Sequence, residues 1–218
     1  MFVPRISKLT EHEVVAISAP YSGAGPALEW DGVPVLLGVR DVAGCDVLTA
    51  HYERFRADAL ITLADVFGLQ RCARELAQTR FFPWTPLDCR PAGIGDIAVL
   101  RESGATPIAM SRFGQLQLRN EGADESLYCP HAVDTQVFRP GDPQAYRDTV
   151  PGIGPDTFVI GIVGVNRGRR KAFDRQLAAF ARFHADHPDS FLALHTAPGG
   201  DPAAPWPRRS SKLLLPSA

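Results

Sequence analysis

Short apolar runs separated by polar, helix-length stretches set the rhythm of the first half of the chain. Val14-Val15-Ala16-Ile17, Val33 to Leu37 and Ala59-Leu60-Ile61-Thr62-Leu63 each read as a strand. A helix-like segment from about Leu69 to Gln78 leads into the strand Phe81-Phe82-Pro83-Trp84. Thr106-Pro107-Ile108-Ala109-Met110 is the next strand, and it meets Ser111. Ser111 suits the N-cap of a helix running to about Arg119, and Gly122 stands where such a helix stops. Continuous apolar strands separated by helices predict an α/β fold with a parallel sheet covered on both faces.

The pattern breaks and then restarts. Residues 139 to 156 hold Pro140, Gly141, Pro143, Pro151, Gly152, Gly154 and Pro155, which suits a connection between domains. Thr157 to Val165 then reads as a buried strand. Lys171 to His184 reads as a helix, with Phe173, Leu177, Phe180, Ala181 and His184 on one face. Phe191-Leu192-Ala193-Leu194-His195 is the following strand. The expected division is 1–139 for the first domain, 140–156 for the linker and 157–198 for the start of a second domain. An irregular tail, broken by Pro202, Pro205, Pro207 and Pro216, occupies 199–218.

Composition narrows the classes. Lys and Arg total 23 against 24 Asp and Glu, a formal net charge of −1 over 218 residues, so bulk charge does not favour nucleic acid. No apolar run approaches the ~18 residues of a membrane-spanning helix, and Met1 to Glu13 has no apolar stretch of signal-peptide length. The cysteines stand at 45, 72, 89 and 129 with no CxxC pair, which argues against a zinc site or a disulfide scaffold. Cys45 and Cys129 read as small apolar fillers, and the reading that follows is a reduced, cytoplasmic protein.

Four stretches could carry chemistry. The segment Gly161 to Lys171 joins a strand to a helix and contains Asn166, Arg167, Arg169, Arg170 and Lys171. Strand ends and helix N-termini attract anions, so this loop could cradle a diphosphate; a solvated, charged helix start is the ordinary alternative. It matches neither GxGxxG nor a P-loop. Asp65 and Asp88 each follow a strand, where active-site groups sit in this architecture, although a loop or N-cap aspartate reads the same way. His131, in Tyr128-Cys-Pro-His-Ala-Val-Asp134, could face a domain cleft or simply bond its own turn. No Gly-x-Ser-x-Gly is present, which leaves nucleophilic hydrolysis without support.

Taken together, these segments resemble the family-four retaining glycosyltransferases of the GT-B fold. Tyr128 to Pro140 is similar to the family's "vPHGVDTxxFxP" segment, with Ala132 in place of its glycine. Ile108-Ala-Met-Ser111-Arg-Phe-Gly114-Gln resembles its "iamSrFGq" joint. Asp58 to Val66, Pro83 to Asp88 and Phe158 to Thr196 resemble further strand ends of the two Rossmann-like domains. The resemblance spans about residues 12 to 198. It implies transfer of a sugar from a nucleoside-diphosphate donor to an acceptor of unknown identity.

By the same resemblance Arg170 and Lys171 neutralise the donor diphosphate and Asn166 shapes the loop. No metal and no cofactor are implied, because fixed positive charge can stabilise the departing diphosphate. The acceptor would sit near Asp65 and Asp88, the candidate catalytic carboxylates, with Ser111 and His131 at the interdomain cleft. Neither aspartate is assigned as a base, since retaining members are described as working with little help from one.

A complete enzyme of this kind would have on the order of 350 residues in two full domains. Phe2 to Leu9 reads as the second half of a first helix, so a first strand and its Gly-rich loop are expected upstream. No Glu follows Pro198, so the family's Glu-seven-Glu donor motif is missing. An inactive truncated fragment is therefore the alternative reading, and a phosphate or nucleic-acid binding module is the third.

Overall fold

A computed structural model describes residues 2–17, 28–36, 41, 43–166 and 171–196. The chain divides into two compact units, Met1–Val133 and Asp134–Ala218.

The first unit is built on a parallel sheet of four strands in chain order: β4 (Leu60–Leu63), β5 (Phe81–Thr85), β6 (Ile108–Ala109) and β7 (Leu127–Tyr128). β4 pairs β5 from Leu60↔Phe81 to Leu63↔Trp84, and β6 continues the register at Trp84↔Ile108. A 3-10 helix (Val66–Cys72) running into α3 (Ala73–Leu76) connects β4 to β5. α4 (Ile94–Ser103) connects β5 to β6, and α5 (Arg112–Asn120) connects β6 to β7. This is a mixed α/β architecture compatible with a Rossmann-like unit.

Cover differs from strand to strand. The edge strand β4 alternates, with Leu60 and Thr62 half-buried but Ile61 and Leu63 about half exposed at 48% and 56%. β5 beside it is covered on both faces, with Phe81, Pro83 and Thr85 buried on one and Trp84 on the other. The core lies under the helices. Val66, Leu69, Leu76, Val99 and Leu118 are buried there around Phe81 and Ala109. Each large side chain so buried contributes ~1.5–3 kcal/mol of transfer free energy.

Ahead of this sheet, α1 (Phe2–Leu9) precedes a separate small sheet of order β1 (Ala16–Ile17), β3 (Val33–Leu36), β2 (Leu28–Trp30), and α2 (Leu48–Arg54) leads from it to β4. β1 and β3, the two strands expected from their apolar runs, pair in parallel at Ala16↔Val35 and Ile17↔Leu36, while β2, which no apolar run marks, forms an antiparallel hairpin with β3. Its two-residue turn is Asp31-Gly32, with φ of +53° and +85°. That pair of positive φ values fits a type I′ turn, and Asp-Gly is its usual sequence signal.

The cysteine reading is also overturned. Cys45 and Cys72 are joined by a disulfide, with Cα atoms 5.5 Å apart, while Cys89 and Cys129 are exposed thiols. The pairing ties the turn at 43–47 to the end of the 3-10 helix. Asp41 organises the same contact: its carboxylate accepts the Ala43 N–H at 2.9 Å and pairs with Arg71 at 3.1 Å. The argument from free cysteines to a reducing compartment is thereby lost.

The second unit contains α6 (Pro143–Arg147), β8 (Phe158–Val163), α7 (Phe173–Asp186) and β9 (Ser190–His195). α6 thus lies within the stretch read from sequence as linker. β8 and β9 pair in parallel from Phe158↔Ser190 to Val163↔His195, with α7 as the crossover. Phe173, Leu192 and Leu194 are buried in this βαβ unit. Among the described residues no helix is long and apolar enough to cross a membrane.

Candidate functional site

The carboxyl ends of β4, β5 and β6 open onto a hollow of about 560 Å³ in the first unit. Its walls include Leu63 at the end of β4 and Asp65 just after it, Leu87 after β5, and Met110 and Ser111 after β6, with His131 on one side. Parallel strands deliver successive loops to the same sheet edge, which brings together residues far apart in the chain.

Each polar group has an identifiable support. Ser111 is the N-cap of α5, as the sequence predicts, and its Oγ accepts the Gly114 N–H at 2.9 Å. Gly114 permits close packing here, since a Cβ on it would stand 3.3 Å from Ser111 Oγ and 3.5 Å from Leu87 Cβ. His131 lies exposed against Trp84, with ring centroids 5.1 Å apart, and its Nε2 is 2.8 Å from Met110 Sδ. The Trp84 indole N–H donates to the Cys129 carbonyl at 2.8 Å, fixing the strand exit that carries His131. Beside it the Arg112 guanidinium sits 3.7 Å above the Tyr128 ring and donates to Gln115 Oε1 at 3.0 Å.

Asp65 and Asp88 are both exposed at strand ends, as expected. Asp65 lines the hollow; Asp88 stands beyond its lining. A third carboxylate, Asp96 on the first turn of α4, joins them and was not singled out from the sequence. Its carboxyl is raised above the ordinary aspartate value, chiefly by burial. The Phe67 N–H, which it accepts, works against that shift, while the charges of Asp65 and Asp88 add to it. An acidic residue at the third position of a helix is a common local feature, so nothing in the sequence set Asp96 apart.

Ser111 and His131, expected at an interdomain cleft, therefore meet at this hollow within the first unit. In the second unit Asn166 is buried after β8, and its backbone N–H donates to Thr196 Oγ1 at 3.4 Å. Lys171 is exposed just before α7, and its carbonyl accepts from Gln176 Nε2 at 2.6 Å. Arg170, like Arg167 and Arg169, lies outside the described residues. Among the described residues no group of three or more His, Cys, Asp or Glu side chains is arranged to hold a metal ion.

No protein-family model matches the chain, and no curated protein matches it.

Proposed function

We propose that the chain is a glycosyltransferase of the GT-B type, moving a sugar with retention from a nucleoside-diphosphate donor to a hydroxyl acceptor. The first unit would hold the acceptor and the second would hold the donor. The observation that carries the reading is the convergence of Asp65, Ser111 and His131 on one hollow at the carboxyl ends of a parallel sheet. Apolar walls from Leu63, Leu87 and Met110 with a few convergent polar groups suit the face of a small polyhydroxylated ligand. Asp65 can accept hydrogen bonds from its hydroxyl groups.

The chemistry asks the protein to stabilise a departing diphosphate. Lys171, Arg170 and the N-terminus of the 14-residue helix α7 are the groups assigned to that task. Positive charge placed where negative charge develops lowers the barrier without a metal ion. Asn166, buried after β8, would hold the loop that carries them.

The test is release of nucleoside diphosphate by the full chain from a panel of UDP-, GDP- and ADP-sugars, followed by chromatography. The R170A/K171A double variant is expected to lose about a hundredfold or more in that release, the scale of removing an oxyanion donor. Release undiminished in the double variant removes the assignment of these two residues. No release and no saturable binding of any donor by the unaltered chain removes the transferase reading itself.

A further inference from the structure

We infer that Asp96 is a positioning residue: from α4 it caps the 3-10 helix after β4, so that Asp65 at the head of that helix keeps its carboxylate at the rim of the hollow. The opening amides of a helix have no partner within it and need acceptors from elsewhere. An aspartate at the N-cap ordinarily supplies one from its own side chain. Asp65 occupies that position, with φ −63° and ψ 117°, yet makes no side-chain capping bond.

The amides are satisfied from other elements. Val66 N–H donates to Thr85 Oγ1 at 3.2 Å, inside the protein at the end of β5. Phe67 N–H donates to Asp96 Oδ1 at 3.2 Å across 29 residues of chain. Gly68 N–H closes the turn on the Asp65 carbonyl at 3.1 Å. Space for the Asp96 carboxylate comes from Gly93, where a Cβ would lie 2.5 Å from Asp96 Oδ2. Gly95 brings α4 close to the turn, a Cβ there standing 3.4 Å from Phe67 Cβ. Capping in trans frees the Asp65 carboxylate from its own backbone and leaves it for a ligand.

Two charged groups face Asp96 from the elements packed around it, Asp65 before the 3-10 helix and Asp88 after β5. The capping bond therefore responds to their charge as well as to pH. What the anchor does for catalysis rests on the hollow being an acceptor site; the anchor itself does not.

The experiment is backbone amide exchange on the full chain, read by NMR, for the unaltered protein, Asp96→Ala and Asp96→Asn. Alanine removes the acceptor, and exchange at Phe67 is expected to rise about tenfold with core amides of β5 unchanged. Asparagine keeps a side-chain oxygen acceptor and is expected to restore most of the protection. The Phe67 amide shift should also titrate with the Asp96 carboxyl in the unaltered protein, above the ordinary aspartate range. It should lose that titration in Asp96→Asn, and Asp65→Asn should lower its midpoint.

Phe67 exchange unchanged in Asp96→Ala overturns the proposal, and so does Asp96→Asn exchanging as fast as the alanine variant. Should Asp96→Ala fail to fold, Gly93→Ala crowds the same carboxylate. Faster exchange at Phe67 in Gly93→Ala supports the anchor, and a Phe67 amide shift that does not follow the Asp96 carboxyl in the unaltered protein overturns it. These readouts stand whether or not any sugar is transferred, so a failed transferase reading and a failed anchor are told apart.

Discussion

His131 lies on Trp84 with the ring planes 28° apart and the centroids separated by 5.1 Å. The pair joins the core to the hollow: Trp84 is 5% exposed, whereas His131 stands open to solvent. Trp84 also holds the Cys129 carbonyl, so one buried side chain fixes the whole strand exit.

Trp84→Ala should therefore cost ~3–5 kcal/mol, the range for deleting a large buried aromatic. Trp84→Phe keeps an aromatic face but loses the indole N–H, and should cost about 0.5–1.5 kcal/mol for the hydrogen bond together with a smaller packing loss. Urea unfolding of both variants checks the order. A phenylalanine variant as unstable as alanine would show that the indole bond, not ring packing, dominates.

Ser111→Ala removes the acceptor for the Gly114 N–H and should lower stability by ~0.5–2 kcal/mol. Ser111→Asp supplies a carboxylate oxygen at the N-cap and should recover most of the loss. Chemical denaturation measures this directly.

The disulfide closes a sequence separation of 27 residues, for which a contribution of ~2–4 kcal/mol is typical. Adding a reductant, or making Cys45→Ser, should lower the thermal midpoint. Reductant should have no further effect on the serine variant. Thiol labelling of the unreduced, denatured chain should find only Cys89 and Cys129.

Asp96 makes a signed prediction for pH. Its folded carboxyl binds a proton more tightly than the ordinary value of 3.8 assigned to a free aspartate. In the window above 3.8 the native state therefore holds more proton than the unfolded state, and stability falls as pH rises. The fall is complete once pH passes the raised folded value. Asp96→Asn, which cannot ionise, should lack this component, so its stability profile should be flatter on the acid side of neutrality. A variant profile parallel to that of the unaltered protein through this window counts against the assignment.

Local pattern carried much of the fold. The apolar runs at Leu60–Leu63, Phe81–Thr85, Phe158–Val163 and Ser190–His195 are strands close to where periodicity places them, although β8 is not the buried strand expected, with Phe158 and Val163 57% and 81% exposed. Ser111 and Gly122 bracket α5, Gly122 with a φ of +90°. Such signals are local because a cap or a stop depends on residues within one turn. The segment from Leu69 to Gln78 was less legible: it divides into a 3-10 helix and one short α-helical stretch. There its first amides are satisfied by Thr85 and Asp96, neither of which its own sequence reveals.

What the sequence by itself determined was the succession of elements and the placing of Asp65, Asp88 and Ser111 at their ends, because hydrophobic period and capping act over a few residues. Only the tertiary structure decided which ends meet. It split the hairpin of β2 and β3 from the four-stranded sheet, paired Cys45 with Cys72, and set Asp96 against the turn that begins at Asp65. Those relations depend on strand order and helix packing across 27 or more residues, where the free energy lies in shared burial, not in any local stretch of chain.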